Sequence, residues 1–123
     1  MTTNYDDTNI FARILRGEIP CDKVFENDHV LAFKDIQPRA PVHVLVIPKG
    51  RYTSFSDFSA NATDEEVVAL TRAAGKIAAD LGIDDPGYRL LTNIGGDGGQ
   101  EVPHLHFHIF GGRPLGSMLP SED

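Results

Sequence analysis

Cysteine is nearly missing from this chain of 123 residues, where Cys21 stands alone. An intrachain disulfide is therefore impossible, as expected of a protein kept in a reducing cytosol. No apolar run approaches the roughly 20 residues needed to cross a bilayer, so no membrane partner is expected. The opening residues, Met1-Thr2-Thr3-Asn4-Tyr5-Asp6-Asp7, are polar and acidic, unlike a signal peptide. A cytoplasmic location follows as the expectation. Basic charge is scarce as well. Eleven Lys and Arg face 18 Asp and Glu, for a net charge of −7. Nucleic-acid binders usually carry a basic patch, so no nucleic-acid partner is expected. A small anion held by a few dipoles remains allowed.

What is present is ordinary for a globular protein, with 41% hydrophobic and 24% charged residues. The length suits one domain with one core. Residues 1–123 read as a single domain, with its core at about 9–115 and a short tail after Pro114. There are no internal repeats and no low-complexity linker. Ile10, Phe11, Ile14 and Leu15 have helical spacing, and Gly17 ends that short helix. Lys23 to Glu26 and His29 to Asp35 read as strands joined by a turn at Asn27-Asp28. Val42 to Pro48 is a β-branched strand, and Tyr88 to Asn93 and His104 to Gly111 complete the sheet. Thr63-Asp64-Glu65-Glu66 is a capping box that opens a long helix running to Gly82. Along it Val67, Leu70, Ala74, Ile77 and Leu81 form an apolar stripe, suited to packing on a sheet or on another helix. The pattern implies an α+β fold, a five-stranded antiparallel sheet with one long and one short helix.

Three of the five histidines fall in His104-Leu105-His106-Phe107-His108-Ile109-Phe110. A strand places alternate residues on one face. Three imidazoles then line one surface, while Leu105, Phe107 and Ile109 face the core. Imidazole titrates near neutrality, so a row of three points to chemistry. Just upstream, Gly95-Gly96-Asp97-Gly98-Gly99 allows close backbone approach to a ligand. Successive amides in such a loop can form an anion nest. Histidines beside a nest suggest a phosphate under attack, although a plain flexible hairpin loop accounts for the glycines too.

The alternation His-apolar-His-apolar-His-apolar-apolar resembles the signature of the histidine triad superfamily. Asp35-Ile36-Gln37-Pro38-Arg39-Ala40-Pro41-Val42-His43-Val44-Leu45-Val46-Ile47-Pro48-Lys49 is similar to a segment of its nucleotide-binding branch. Asn93, Asp97-Gly98-Gly99-Gln100 and Gly111-Gly112-Arg113-Pro114 also look like that branch. The likeness spans about Asn9 to Leu115. It implies a homodimer and a hydrolase that releases nucleoside monophosphate from purine nucleoside phosphoramidates through a nucleotidyl-histidine. It gives His106 the role of nucleophile, with a main-chain carbonyl near His104 fixing its tautomer. His108 matches a phosphate contact and His43 an additional histidine in a proton relay. Asp35 matches the acceptor of the ribose hydroxyls. Phe11, Ile19, Phe33 and Ile36 match apolar residues around the base, and Asn93, Gly99 and Gln100 match phosphate and ribose contacts. Glu101 departs from relatives that carry a serine there; its carboxylate suits a cationic leaving group such as an amine. The chain has no tryptophan, so relatives that shape leaving-group preference with a C-terminal tryptophan are no guide here.

Neither a cofactor nor a metal is expected. Three other readings stand beside the phosphoramidase. One is a non-catalytic nucleotide-binding regulator or scaffold, and another a dinucleoside polyphosphate hydrolase. The third is a zinc hydrolase using His104, His106 and His43, since histidines at i and i+2 can share an ion. All three triad residues on one ion is harder, because i and i+4 lie roughly 13 Å apart along a strand.

Overall fold

The structure, a computed structural model, describes residues 4–120. Four helices and five strands follow in the order α1 (Ile10–Leu15), β1 (Lys23–Glu26), β2 (Val30–Lys34), β3 (Val42–Pro48), α2 (Phe55–Asn61), α3 (Asp64–Asp80), β4 (Arg89–Leu91), α4 (Gly95–Gly98) and β5 (Phe107–Gly111). The strands form one antiparallel sheet in the order β1-β2-β3-β5-β4. The α+β class and the five-stranded antiparallel sheet agree with the sequence reading.

Local signals explain the elements that were expected. The Asn9 side chain caps α1 by accepting from the Ala12 amide. At α3 both halves of the capping box form, between Thr63 and Glu66. Gly17 and Gly82 take φ of 79° and 75° just past α1 and α3. Two helices are additional to the expected pair. α2 is capped by Ser54, which accepts from the Asp57 amide, and buries Phe58 beneath it. α4 is a single turn within the glycine loop. The last strand is also shorter than expected. It begins at Phe107, so His104 and His106 sit in the segment leading into it, with His104 at a bend, and of the triad only His108 is a strand residue.

Both faces of the sheet carry helices, one face more completely than the other. Val30, Ala32, Val44, Val46 and Ile109 pack under α3 through Leu70, Ala73, Ile77 and Ala78. The helix stripe is thus consumed mainly by the chain's own sheet, leaving Val67 and Val68 partly exposed. On the other face Leu31, Phe33, Leu45 and Ile47 pack with Phe11 of α1. This short helix shields only part of that face. The remainder is where β3 and β5 present His43, His108 and Phe110, with His43 paired in register to Phe110. Past β5, Gly112 has φ 92°, and a Cβ there would meet Pro41 Cβ at 2.8 Å. A glycine lets the C-terminal segment press against the start of β3.

Candidate active site

The uncovered part of that face is a cleft of about 590 Å³. His43, His106, His108, Asp35, Asn93, Gly99 and Glu101 line it, together with Phe11, Ile19, Phe33 and Ile36. Phe11 and Phe33 are buried and serve as core and cleft wall at once, in edge contact at 5.6 Å. Ile36 sits on the rim, 88% exposed.

Two expected site residues are not in the cleft. His104 is fully buried, behind His106. Gln100 turns inward, its Nε2 donating to the Thr53 carbonyl at 2.6 Å and the Val102 carbonyl at 2.9 Å. Its Oε1 accepts from the Gly95 amide at 3.1 Å. The Gln100 side chain thus braces the loop from behind, and its amide donors are engaged there rather than in the cleft. The glycine loop is likewise less open than a nest requires. The Gly99 amide donates to the Gly96 carbonyl and the Gln100 amide to the Gly95 carbonyl.

The hydrogen bonds fix the proton on each imidazole. A carbonyl can only accept, so the ring nitrogen facing it carries the proton. His106 Nδ1 donates to the His104 carbonyl at 2.8 Å, which leaves its Nε2 with a free lone pair. The His106 carbonyl is held in turn by the Thr92 hydroxyl at 2.8 Å. His104 Nε2 donates to the Pro48 carbonyl at 2.9 Å, so its Nδ1 accepts, and the Tyr5 hydroxyl is the donor. At His43 the order runs the other way. Its Nδ1 accepts from the Arg39 amide at 3.2 Å, which puts the proton on Nε2. That proton points to His108 Nδ1 at 3.0 Å, with Asp35 Oδ2 at 3.4 Å. His108 is left with its proton on Nε2, as a donor. The Arg39 loop is itself pinned, because Arg113 donates to the Arg39 carbonyl at 3.1 Å and the Gln37 amide to Asp35 Oδ1 at 2.8 Å.

Electrostatics agree with four neutral rings. Burial pushes His104 and His108 down to about 4, and the neighbouring His106 adds to the drop in both. Burial also lowers His43, against the pull of Asp35. His106 is lowered by burial too, while its bond to the His104 carbonyl and the charges of Asp35 and Glu101 oppose that. A neutral ring with one free lone pair is a nucleophile, and a neutral ring with one free N–H is a hydrogen-bond donor. The cleft places one of each side by side, with ring centroids 5.0 Å apart.

Metal-ligating potential sits elsewhere than expected. The zinc set His104, His106 and His43 is not assembled, since both His104 nitrogens are engaged inside the fold. Among the described residues, Asp35, His43 and His108 bring donor atoms within 4.8 Å of one another. Ligation by neutral His43 through Nε2 would move its proton to Nδ1, against the Arg39 N–H. The donor set therefore fits a hydrogen-bond relay better than an ion.

Comparison with known proteins decides the family. The HIT domain matches residues 16–115. The chain belongs to the HIT family. It is 59% identical over 119 residues to a 13.2 kDa HIT-like protein of Azospirillum brasilense, covering 97% of this chain and 98% of that one. It is 46% identical over 113 residues to the purine nucleoside phosphoramidase of Escherichia coli, covering 92% and 94%. A HIT family hydrolase from Clostridium thermocellum superposes with a TM-score of 0.84 at 40% identity, covering 93% of this chain and 99% of that one. A histidine triad protein from Clostridium difficile does so with a TM-score of 0.82 at 44% identity, covering 94% and 100%. The triad that the sequence pattern singled out, His104, His106 and His108, lies within the matched residues 16–115. Tyr5 and Thr92 were not found that way. Each acts through a tertiary hydrogen bond to the triad segment that no local spacing signals.

Proposed function

We propose that this HIT protein is a nucleotide hydrolase that cleaves purine nucleoside phosphoramidates. The carrying observation is the tautomer of His106, whose Nδ1 proton is committed to the His104 carbonyl and whose Nε2 lone pair faces the cleft. In the first step Nε2 bonds to the α-phosphorus and the P–N bond breaks. The departing nitrogen takes a proton from solvent in the open cleft and leaves as the amine, and the water consumed in the second step returns one proton to solvent. In the second step water attacks phosphorus, the bond to Nε2 breaks, and nucleoside monophosphate is released with neutral His106 restored. The Nδ1–H bond to the His104 carbonyl strengthens as the ring becomes cationic in the intermediate. The free N–H of His108 suits a phosphate oxygen, and His43 holds it in that tautomer. Asp35 accepts from the ribose hydroxyls, and Phe11, Ile19, Phe33 and Ile36 surround the base. No metal takes part. The 46% identity to a phosphoramidase supports the substrate class.

The same reading includes a homodimer. β4 lies at the sheet edge with Leu90 47% exposed, and α3 leaves Val68 51% exposed. These surfaces suit a second copy. The deciding test of function is incubation with an adenosine phosphoramidate, with and without chelator, reading monophosphate release. Release that survives chelation is expected; no release, or release restored only by added zinc, overturns the reading.

A further inference from the structure

We infer that Tyr5 is a positioning residue for the nucleophile, fixing the His104 ring and through its carbonyl the proton of His106. Tyr5 lies upstream of residues 16–115, which the HIT domain matches, and has no place in the triad pattern. Its hydroxyl nonetheless reaches the buried first histidine of the triad. The inference deepens the proposed function and rests on it for its kinetic readout.

The proton order along this contact has one solution. His104 Nε2–H is committed to the Pro48 carbonyl, so Nδ1 is an acceptor and the Tyr5 O–H must donate. The Tyr5 oxygen then accepts from Asn9 Nδ2 at 3.1 Å. Asn9 is anchored by its other contacts, with Nδ2 also donating to the Asp6 carbonyl and Oδ1 capping α1. The Tyr5 ring is held as well. It meets the His104 ring edge-on at 5.5 Å. The Arg51 guanidinium carbon lies 5.2 Å from its centroid, and Arg51 pairs with Asp7 at 3.6 Å. The N-terminal segment thus carries a directed chain from Asn9 through Tyr5 to His104. Beyond the ring, the His104 carbonyl receives the His106 Nδ1 proton.

Removing the hydroxyl alone breaks this chain at one link. The buried His104 Nδ1 then lacks a donor, a condition that a fold relieves by turning the ring or moving its proton. Either response shifts the His104 backbone that holds the His106 proton. A fraction of His106 then carries its proton on Nε2, where it cannot attack. Substrate contacts are untouched, so the loss falls on the chemical step and not on binding.

The test is Tyr5→Phe in the full chain, which keeps the ring. Turnover of an adenosine phosphoramidate should fall in kcat by about tenfold, with KM changed by less than about twofold. Affinity for adenosine monophosphate should also be unchanged. Long-range proton–nitrogen NMR should show wild-type His106 wholly as the Nδ1–H tautomer and the variant as a mixture. Wild-type kcat with an unaltered His106 spectrum overturns the inference. A parallel loss of thermal midpoint, KM and nucleotide affinity overturns it too, since that marks a merely structural role. Should Tyr5→Phe fail to fold, wild-type NMR decides, and a proton on His104 Nδ1 contradicts the inference. If the wild type releases no monophosphate, the proposed function fails, and the His106 tautomers in the two proteins still judge Tyr5.

Discussion

The two faces of β3 and β5 are built from alternate residues of the same strands, yet they do different work. On one face Val44, Val46 and Ile109 are sealed by α3 through Leu70, Ala73, Ile77 and Ala78. On the other, Leu45 and Ile47 are covered by the six-residue α1 and its neighbours, and His43, His108 and Phe110 border the cleft. Burial of apolar area stabilises the first face. The second carries imidazoles whose burial disfavours their charged forms. That cost is contained because every ring finds partners. Among the described residues, no buried side-chain nitrogen or oxygen lacks a hydrogen bond. Length of helix decides the division: a 17-residue α3 closes its side, and a 6-residue α1 leaves room for a ligand.

Substitutions on the two faces should separate stability from chemistry. The largest effect expected is from His106→Asn, which removes the nucleophile. Turnover should drop by about 10⁴-fold or more, while thermal midpoint and nucleotide affinity stay near wild type. Near-normal turnover would abolish the distinction between the faces. On the opposite side, Ile77→Ala opens a cavity under α3 and should cost about 2–5 kcal/mol in denaturant titration. Its kcat per folded molecule should be unchanged.

Asp35→Ala comes next. Hydrogen bonds to a charged group are worth about 1.5–3 kcal/mol each, so ribonucleotide affinity should fall by that order. Dideoxynucleotides should bind the wild type poorly and be almost indifferent to the change. Equal losses for both ligands by calorimetry would make Asp35 a support of the strand end only.

Acidification tests the cleft face through its histidines. His104 and His108 are held at about 4, below the ordinary 6.5. Between those values the unfolded chain binds protons that the folded chain does not. Their contribution is therefore full above pH 6.5 and is lost progressively as pH falls toward about 4. Urea midpoints measured across that window should decline, and a His108→Asn variant should decline less.

At Glu101 the effect expected is on relative rates rather than on overall turnover. It is exposed on the cleft, and its charge raises the proton affinity of His106. Glu101→Gln should slow amine leaving groups more than anionic ones on the same nucleotide, by up to about 100-fold if it assists amine departure. Unchanged relative rates would remove it from the mechanism and leave His106 unaffected.

How far the chain could be read in advance follows from the range of the interactions. α1, α3 and β3 were legible because caps, glycine stops and apolar periodicity act within one element. The cleft's histidines were legible because the spacing itself carries the signal. α2 was not, since its Ser54 cap and buried Phe58 lie in a polar stretch without a repeating stripe. The start of β5 was placed too early because His104 and His106 keep strand-like alternation before pairing begins. The bracing role of the Gln100 side chain was not legible because one of its partners, the Thr53 carbonyl, lies 47 residues away. Tyr5 was invisible for the same reason, being 99 residues from His104.

The central claim is that the free lone pair of His106 makes a bond to phosphorus. Rapid acid-free quenching during turnover of an adenosine phosphoramidate, followed by peptide mass analysis, tests it most directly. The account predicts one nucleotidyl group on the peptide containing His106, formed and lost at rates compatible with kcat and absent in His106→Asn. Turnover at full rate with no adduct on the trapping timescale, or an adduct on His43 or His108 instead, would contradict it.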